Sequence, residues 1–475
     1  MGQRERHQAW GGLTARTGAI TDTIFIGGSR ARKAQVARHY ARKVRDTGLG
    51  YLEWARAEAR ARVDARRRES AAPERDLLLM AGAFPPASAT GVDRPVSLAR
   101  YGPELGWRVT VLSRAADEPA SPSSRHLLGT LPPDVRLEHH GEPSIAPSRL
   151  LAQVDGGLQQ AIAMFGAARR VISRSRPRVI LATGPPFYAF VAAVLATRAS
   201  RAKLVLDYRD EWTQSPFDFV ERGWADRWWE GRCLGAADAV IFTTASQRDR
   251  LIRAFPGLVP SRCFVIPNGW EPGDAPASGA GAPVATSDDG RIVLSYVGRL
   301  DSWTPPAAFL STLARVLERR PDLRRALSVR FVGPKPPASH RQLQAFPFPD
   351  VLDLVDQVPR PVASAIMRES TALLLLYDSL AMARYIPGKL YEYVAADRPV
   401  LVFGDTGEAA SVVREIGAGP IVPAGEPAAL EAVLDAFTRG GHAAPPSPDL
   451  DRWRARHVRA QLARETFTLL DRLSA

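Results

Sequence analysis

The sequence predicts an α/β protein of two facing domains behind a basic helical N-terminal extension, and three observations carry that reading. Short apolar runs of the kind a fully buried parallel strand needs, such as Asp76-Leu-Leu-Leu-Met80 and Leu373-Leu-Leu-Leu-Tyr377, alternate with helical patterns. A stretch rich in Pro, Gly, Ala and Ser over residues 271–290 divides that series in two. At 475 residues the chain also exceeds the size at which a single core stops growing. The expected organisation is an extension over 1–75, a first domain over 76–270, a linker over 271–290, a second domain over 291–448 and a terminal helix over 449–475.

Composition narrows the class. Hydrophobic residues at 45% with charged residues at 24% describe a soluble globular protein. Two cysteines, Cys233 and Cys263, exclude a disulfide framework and a Cys-rich zinc site, and a reducing cytoplasm fits best. No apolar run approaches the roughly 18 residues a bilayer span needs, and the first residues, Met1-Gly-Gln-Arg-Glu-Arg-His7, lack the apolar core of a secretory leader. The net charge of +13 raises the question of nucleic acid. Between Arg30 and Glu69, however, thirteen Lys or Arg stand against five Asp or Glu, so most of the excess sits in the extension, the remaining body is only mildly basic, and no specific nucleic-acid partner is expected.

Within the extension, Thr23-Ile-Phe-Ile-Gly-Gly-Ser29 suits a strand and a glycine turn without the Gly-Lys-Ser/Thr of a phosphate loop. From Ala31 to Arg68, Val36, Tyr40 and Val44 recur every four residues, giving a helix with a thin apolar stripe. Its basic face suits anionic lipid, an acidic substrate or plain solvent, and a solvated appendage is the simplest reading.

The first domain opens with the strand at Asp76–Met80 and the loop Phe84-Pro-Pro-Ala-Ser-Ala-Thr-Gly91. A helix holding Val96, Leu98 and Leu105 and a strand at Trp107–Leu112 complete a right-handed βαβ unit. His139-His140 reads as an exposed loop. Pro177–Thr183 and Lys203–Asp207 are further strands, with a helix from Tyr188 to Thr197 between them. Ligands gather outside the carboxyl ends of such strands, which marks Arg209 and Asp210 in Tyr208-Arg-Asp-Glu-Trp212. Asp210 is by placement a candidate general base for an acceptor hydroxyl. Ala239–Thr243 is a strand, Ser246 a helix cap, and Arg262–Gly269 closes the domain. Neither a His-Glu-x-x-His helix nor a Gly-x-Ser-x-Gly elbow occurs, which argues against zinc and serine hydrolases.

The second domain repeats the pattern with strands in Arg291–Leu300, Leu327–Gly333, Leu352–Val355 and Leu373–Tyr377, a helix from Val362 to Glu369, and a last short strand at Gly419–Pro423. Its centre is Arg384–Phe403, which reads as a Pro-Gly turn, a short amphipathic helix and a buried strand. Pro387 and Gly388 leave N–H groups free at a helix start, where the peptide dipoles favour an anion, and Lys389 adds a full charge. One turn on, Glu392 shares that side of the helix and can accept bonds from a pair of sugar hydroxyls. Together these groups suit a nucleoside diphosphate. Leu450–Leu473 is an arginine-rich terminal helix.

Ile386-Pro-Gly-Lys-Leu-Tyr-Glu-Tyr-Val-Ala-Ala-Asp-Arg-Pro-Val400 resembles the donor-binding signature of GT-B glycosyltransferases, in particular the family 4-like enzymes of bacterial polysaccharide and glycoconjugate assembly. The segment Asp207–Trp212 is similar to that family's Asp-x-Arg-Asp-x-Trp, the Gly298-Arg299 turn to its phosphate-contacting Gly-Arg, and Pro267-Asn-Gly269 to its turn at the same place. The resemblance implies two facing Rossmann-like domains, with the terminal helix crossing back to the first. It implies a diphosphate held by Gly298, Arg299, Pro387, Gly388 and Lys389, a ribose held by Glu392, and an acceptor near Ser88, Thr90, Gly91 and Arg209.

Three departures stand out. The usual glycine pair is missing near Ser88-Ala89, Asp301-Ser-Trp-Thr304 replaces the usual Lys-Gly, and Arg384 stands where relatives carry the first glutamate of Glu-x7-Glu. Arg384 is read as a replacement phosphate clamp, because a guanidinium grips phosphate bidentately; the competing reading is lost or altered activity. The sole Asp-x-Asp, Asp449-Leu-Asp451, lies away from every candidate loop, so transfer is expected without metal or cofactor, on Arg299, Lys389 and the helix dipole. The expected function is cytoplasmic transfer of a sugar from a nucleoside diphosphate-sugar to a hydroxyl of a saccharide, lipid-linked or small-molecule acceptor. An anionic membrane at the inner face is a candidate peripheral partner. The alternatives are a nucleotide-sugar epimerase of the same fold and a non-catalytic protein binding nucleotide-sugar or anionic polymer.

Overall fold

The computed structural model describes residues 30–66, 75–86, 91–115, 122–141, 154–217, 220, 222, 225–272, 291–440 and 447–475. Two parallel sheets carry the fold. The first contains β1 (Asp76–Ala81), β2 (Arg108–Arg114), β3 (Arg136–His140), β4 (Val179–Gly184), β5 (Lys203–Tyr208), β6 (Ala239–Phe242) and β7 (Cys263–Val265) in the order β3-β2-β1-β4-β5-β6-β7. The second contains β8 (Ile292–Val297), β9 (Leu327–Val332), β10 (Leu352–Val355), β11 (Ala372–Leu376), β12 (Val400–Phe403) and β13 (Ile421–Val422) in the order β10-β9-β8-β11-β12-β13. Central strands are buried on both faces, which is why they read as unbroken apolar runs: Leu79 pairs with Val111 on one side and Leu181 on the other. In each sheet the chain reverses direction beside its first strand, between β1 and β4 and between β8 and β11, and a crevice opens there at the carboxyl ends.

The extension departs from the expected solvated appendage. The helix Arg30–Arg66 packs on the first domain through Trp54, Ala57 and Ala61, all buried in that domain's core. The Trp54 ring meets Trp229 edge-on at 4.7 Å. Asp64 accepts a hydrogen bond from Arg169 Nε at 2.6 Å, and Glu58 is held by Arg198 and Arg232. Small residues explain the docking: alanines at 57 and 61 let the helix approach closely, and a Cβ at Gly50 would sit 3.2 Å from Gln159. The stripe read at Val36, Tyr40 and Val44 lies outside the described side chains, as does the Thr23–Ser29 segment.

Other expectations need correction. His139-His140 is not an exposed loop but the end of β3, and His140 is fully buried, its Nε2 3.2 Å from the Tyr188 hydroxyl and its Nδ1 3.1 Å from the Gly141 carbonyl. Two neighbours able to satisfy an imidazole make that burial tolerable. Thr244, rather than Ser246, caps the helix Ala245–Ala254 by accepting from Gln247 N at 3.2 Å, while Ser246 donates across the domains to Glu408. The terminal segment is two helices, Pro448–Arg456 and Arg459–Ser474. They part because Trp270 takes the backbone at the joint: Trp270 N donates to His457 O at 3.0 Å and Arg459 N to Trp270 O at 2.9 Å. The second of these helices returns to the first domain and buries Leu462, Ala463, Phe467 and Leu470 in its core.

Candidate functional site

A cavity of about 890 Å³ lies between the carboxyl ends of the two sheets. Arg94, Arg209, Asp210 and Thr243 reach it from the first domain, Arg299, Lys389 and Glu392 from the second, and Arg459 from the terminal helix.

On the second-domain wall the helix Gly388–Ala395 starts from Pro387 with no side-chain cap, so the first-turn N–H groups at Gly388 and Lys389 open toward the cavity. The ammonium of Lys389 lies 3.8 Å from the Tyr296 ring centroid and donates to the Tyr296 hydroxyl. That hydroxyl in turn donates to Arg299 O at 2.8 Å and is 3.1 Å from Thr304 Oγ1. Lys389 and the Arg299 turn are thus built as one unit around a buried tyrosine that sequence reading passed over. Gly298 (φ 135°) and Gly333 (φ 117°) permit the turn: a Cβ at Gly333 would stand 2.7 Å from Gly298 O. The side chain of Arg299 is exposed at the cavity mouth. The missing Lys-Gly is replaced by a capped turn in which Asp301 Oδ1 accepts from Trp303 N at 3.0 Å, and Trp303 packs edge-on against Phe217 at 4.9 Å across the domain boundary.

Glu392 is the centre of a four-charge network. Arg360 Nη2 donates to its Oε1 at 3.1 Å while Arg360 Nη1 donates to Asp93 of the first domain. Arg459 lies 3.6 Å from Asp93 and 3.9 Å from Glu392. Burial raises the Glu392 carboxyl above its ordinary range against the pull of Arg360 and Arg459. At Asp93 burial acts in the same sense but loses to the Arg459 and Arg360 charges, and the carboxyl is lowered.

Arg384, expected to clamp phosphate, does not line this cavity. Its guanidinium lies 3.0 Å from the Glu211 carboxylate and donates to Gln214 O at 3.2 Å. Glu211 is only 2% exposed and also accepts from the Tyr385 hydroxyl at 2.7 Å. A carboxylate so deeply buried needs a counter-charge, and Arg384 supplies it across the domain interface.

Of the acceptor-side residues, Ser88 and Thr90 lie outside the described residues. Gly91 lines the cavity with φ 82°, and its carbonyl accepts from Arg209 Nη1 at 2.6 Å. Arg209 also donates to Pro185 O, so this buried guanidinium braces two cavity loops, and burial lowers its basicity. Asp210 lines the cavity, its carboxyl raised by burial against the attraction of Arg209. Arg94, unmarked in the sequence reading, lines the cavity and is anchored on the buried Asp207, the first residue of the Asp-x-Arg-Asp-x-Trp segment. Arg94 Nε bonds both Asp207 oxygens at 2.9 and 3.0 Å. Its Nη1 donates to Ile266 O at 2.9 Å and to Pro267 O at 2.8 Å.

Behind the wall, Glu230 is fully buried and accepts from Tyr208 Oη at 3.2 Å and Thr213 N at 3.1 Å, fixing the chain that leads to Phe217. Burial pushes its carboxyl up to about 7 from the ordinary 4.5. The folded protein therefore retains a proton that the unfolded chain gives up between about pH 4.5 and 7, and stability falls as pH rises through that window. Unfolding free energy is expected to drop by up to about 3 kcal/mol from this group over that window, and Glu230→Gln should remove that slope from urea titrations run at several pH values.

Residues 91–269 match the family described as "Glycosyl transferase 4-like domain". A D-inositol 3-phosphate glycosyltransferase of Kribbella flavida is 31% identical over 144 residues, 28% of this chain, and the match spans about a third (33%) of that relative's length. Among solved structures, Anabaena HepE in complex with UDP and glucose superposes with a TM-score of 0.59 at 16% identity, over 84% of this chain and 100% of that one. A sucrose-phosphate synthase from Thermosynechococcus elongatus gives 0.62 at 17%, over 84% and 99%. The UDP-GlcNAc 2-epimerase of Methanocaldococcus jannaschii gives 0.52 at 13%, over 83% and 99%. At these identities the structural likeness is one of fold, and that fold is the two-domain GT-B architecture expected from the sequence. The family match lies within the first domain, over residues 91–269, and the solved structures show the fold shared by both domains.

Proposed function

We propose that the chain transfers a glycosyl group from a nucleoside diphosphate-sugar to an acceptor hydroxyl. The carrying observation is that Lys389, the Arg299 turn and an uncapped helix start meet on one wall of the interdomain cavity. In this reading the diphosphate lies against those groups and the ribose hydroxyls engage Glu392 in competition with Arg360. As the bond from the anomeric carbon to the phosphate oxygen breaks, negative charge grows on that oxygen, where the two cations and the helix dipole stabilise it. The acceptor oxygen forms the new bond and Asp210 takes its proton. Arg384 plays no part in gripping phosphate; it holds the two domains together through Glu211. No metal is invoked: Asp449 and Asp451 pair with Arg452 and Arg454 on the helix Pro448–Arg456, outside the cavity.

The complex of Anabaena HepE with UDP and glucose supports a uridine donor, and the inositol-phosphate relative supports a small polar acceptor; saccharide and lipid-linked acceptors fit the same chemistry. We place the reaction on the cytoplasmic side of a membrane; no helix among the described residues is long and apolar enough to cross one. The test is thermal unfolding with UDP, GDP, ADP, TDP and inorganic phosphate, with EDTA or magnesium. One nucleoside diphosphate at about 100 times its Kd should stabilise by roughly 2.7 kcal/mol, and Glu392→Ala should abolish most of that shift. If none stabilises, the donor-site reading fails. Free sugar-nucleotide epimerisation in place of transfer would select the epimerase reading.

A further inference from the structure

The helix Arg30–Arg66 is covered on one side only. Opposite the buried stripe of Gly50, Trp54, Ala57 and Ala61, a turn of 3.6 residues places Arg45, Leu49, Leu52, Arg56, Arg60 and Val63 along the outer face, and all six are exposed. Leu52 is 57% exposed and Val63 46%. Among the described side chains from Leu49 to Asp64, the acids are not on that face: Glu58 and Asp64 are turned toward Arg198, Arg232 and Arg169, and Glu53 sits half-buried on a flank. Next to the helix stands Trp228, 51% exposed, edge-on to the Trp229 that abuts Trp54. Arg232 lies 4.8 Å from the Trp228 ring while bonding Glu58, which ties this tryptophan to the helix.

Aliphatic side chains at helical spacing between arginines, beside an exposed indole, form the chemistry of a bilayer interface. The leucines enter the acyl boundary, the guanidiniums reach lipid phosphates on their flexible stems, and the indole seats at headgroup level. A nucleic acid would use the arginines and leave Leu49, Leu52 and Val63 without a role. The sequence of the same helix adds six further Lys or Arg between Arg30 and Lys43, a charge density that favours an anionic surface.

We infer that the outer face of this helix, with Trp228, docks the protein on an anionic lipid bilayer. The inference deepens the reading of a transferase working at a membrane by naming its contact surface, and its test does not depend on turnover.

The full chain is mixed with phosphatidylcholine vesicles with and without phosphatidylglycerol and sedimented. Binding is expected only with phosphatidylglycerol and should weaken with salt. Leu49→Ser/Leu52→Ser should cut vesicle affinity at least tenfold, and Arg56→Ala/Arg60→Ala about twenty-five-fold, at about fivefold per arginine. Both double variants change exposed residues, so an unchanged thermal midpoint and unchanged nucleotide-induced stabilisation show that fold and donor site persist. Several results would overturn the proposal: no sedimentation with either vesicle, equal binding by the leucine variant, capture by an RNA oligonucleotide but not by vesicles, or a dimer that the leucine changes dissolve.

Discussion

Lys389→Ala is expected to lower kcat/KM for glycosyl transfer by about a hundredfold to a thousandfold, the range seen when one preorganised donor to a developing oxyanion is removed. The magnitude follows from where the ammonium sits. It is held over the Tyr296 ring at 3.8 Å and bonded to the hydroxyl that also fixes the Arg299 turn, so it needs no reorganisation when charge appears on the leaving diphosphate. Ground-state binding benefits from the same charge, so KM should rise, but the larger loss should fall on kcat because the bridging oxygen gains charge only in the transition state. Tyr296→Phe separates charge from placement. It keeps the ring under the ammonium and deletes only the hydroxyl relay to Arg299 O, and a loss nearer tenfold is expected. Steady-state kinetics on both variants, with the nucleoside diphosphate shift as a binding control, decide the matter. A Lys389→Ala enzyme with wild-type kcat/KM would remove the diphosphate from this wall.

The contrast between these residues and others shows what a sequence can disclose. The strands were readable because a parallel strand buried on both faces must be apolar throughout, as Leu373–Leu376 is. The helix start at Pro387-Gly388-Lys389 was readable because its chemistry is local, three consecutive residues and one turn of helix. Glu392 is readable for the same reason, but its partners Asp93, Arg360 and Arg459 come from three separate elements and no spacing links them. For Arg384 the sequence suggests a phosphate clamp because a guanidinium beside a phosphate site invites that pairing, while the partner the structure shows, Glu211, lies 173 residues earlier, in the other domain. The docked half of the N-terminal helix escaped notice because alanines at 57 and 61 make a weak apolar pattern; their value is closeness of approach, which hydropathy does not register. The segment between residues 112 and 177 gave no strand signal because β3 is an edge strand, Arg136-Leu-Glu-His-His140, with three of its five residues exposed.

Arg94→Ala should destabilise the first domain by about 3–5 kcal/mol, the cost of leaving a buried charge without its partner. Asp207 is 1% exposed and receives Thr183 Oγ1 at 2.8 Å; its direct ion-pair partner is the Arg94 guanidinium at 2.9 Å, with Arg209 interacting at longer range. The same side chain donates to the carbonyls of Ile266 and Pro267, so its loss orphans two acceptors at the end of β7 as well as the carboxylate at the end of β5. Replacing the carboxylate too should recover part of the loss. Asp207→Asn in the Arg94→Ala background removes the uncompensated charge, and the double variant is expected to be more stable than Arg94→Ala alone by about 1–3 kcal/mol. Urea unfolding of the four members of this cycle, with an unchanged m-value as the check on the unfolded state, measures the coupling directly. Additive losses would mean that Arg94 acts only through the two carbonyls. Because those carbonyls precede the Pro267-Asn268-Gly269 turn lining the cavity, the single variant should also bind nucleoside diphosphate more weakly at temperatures where it remains folded.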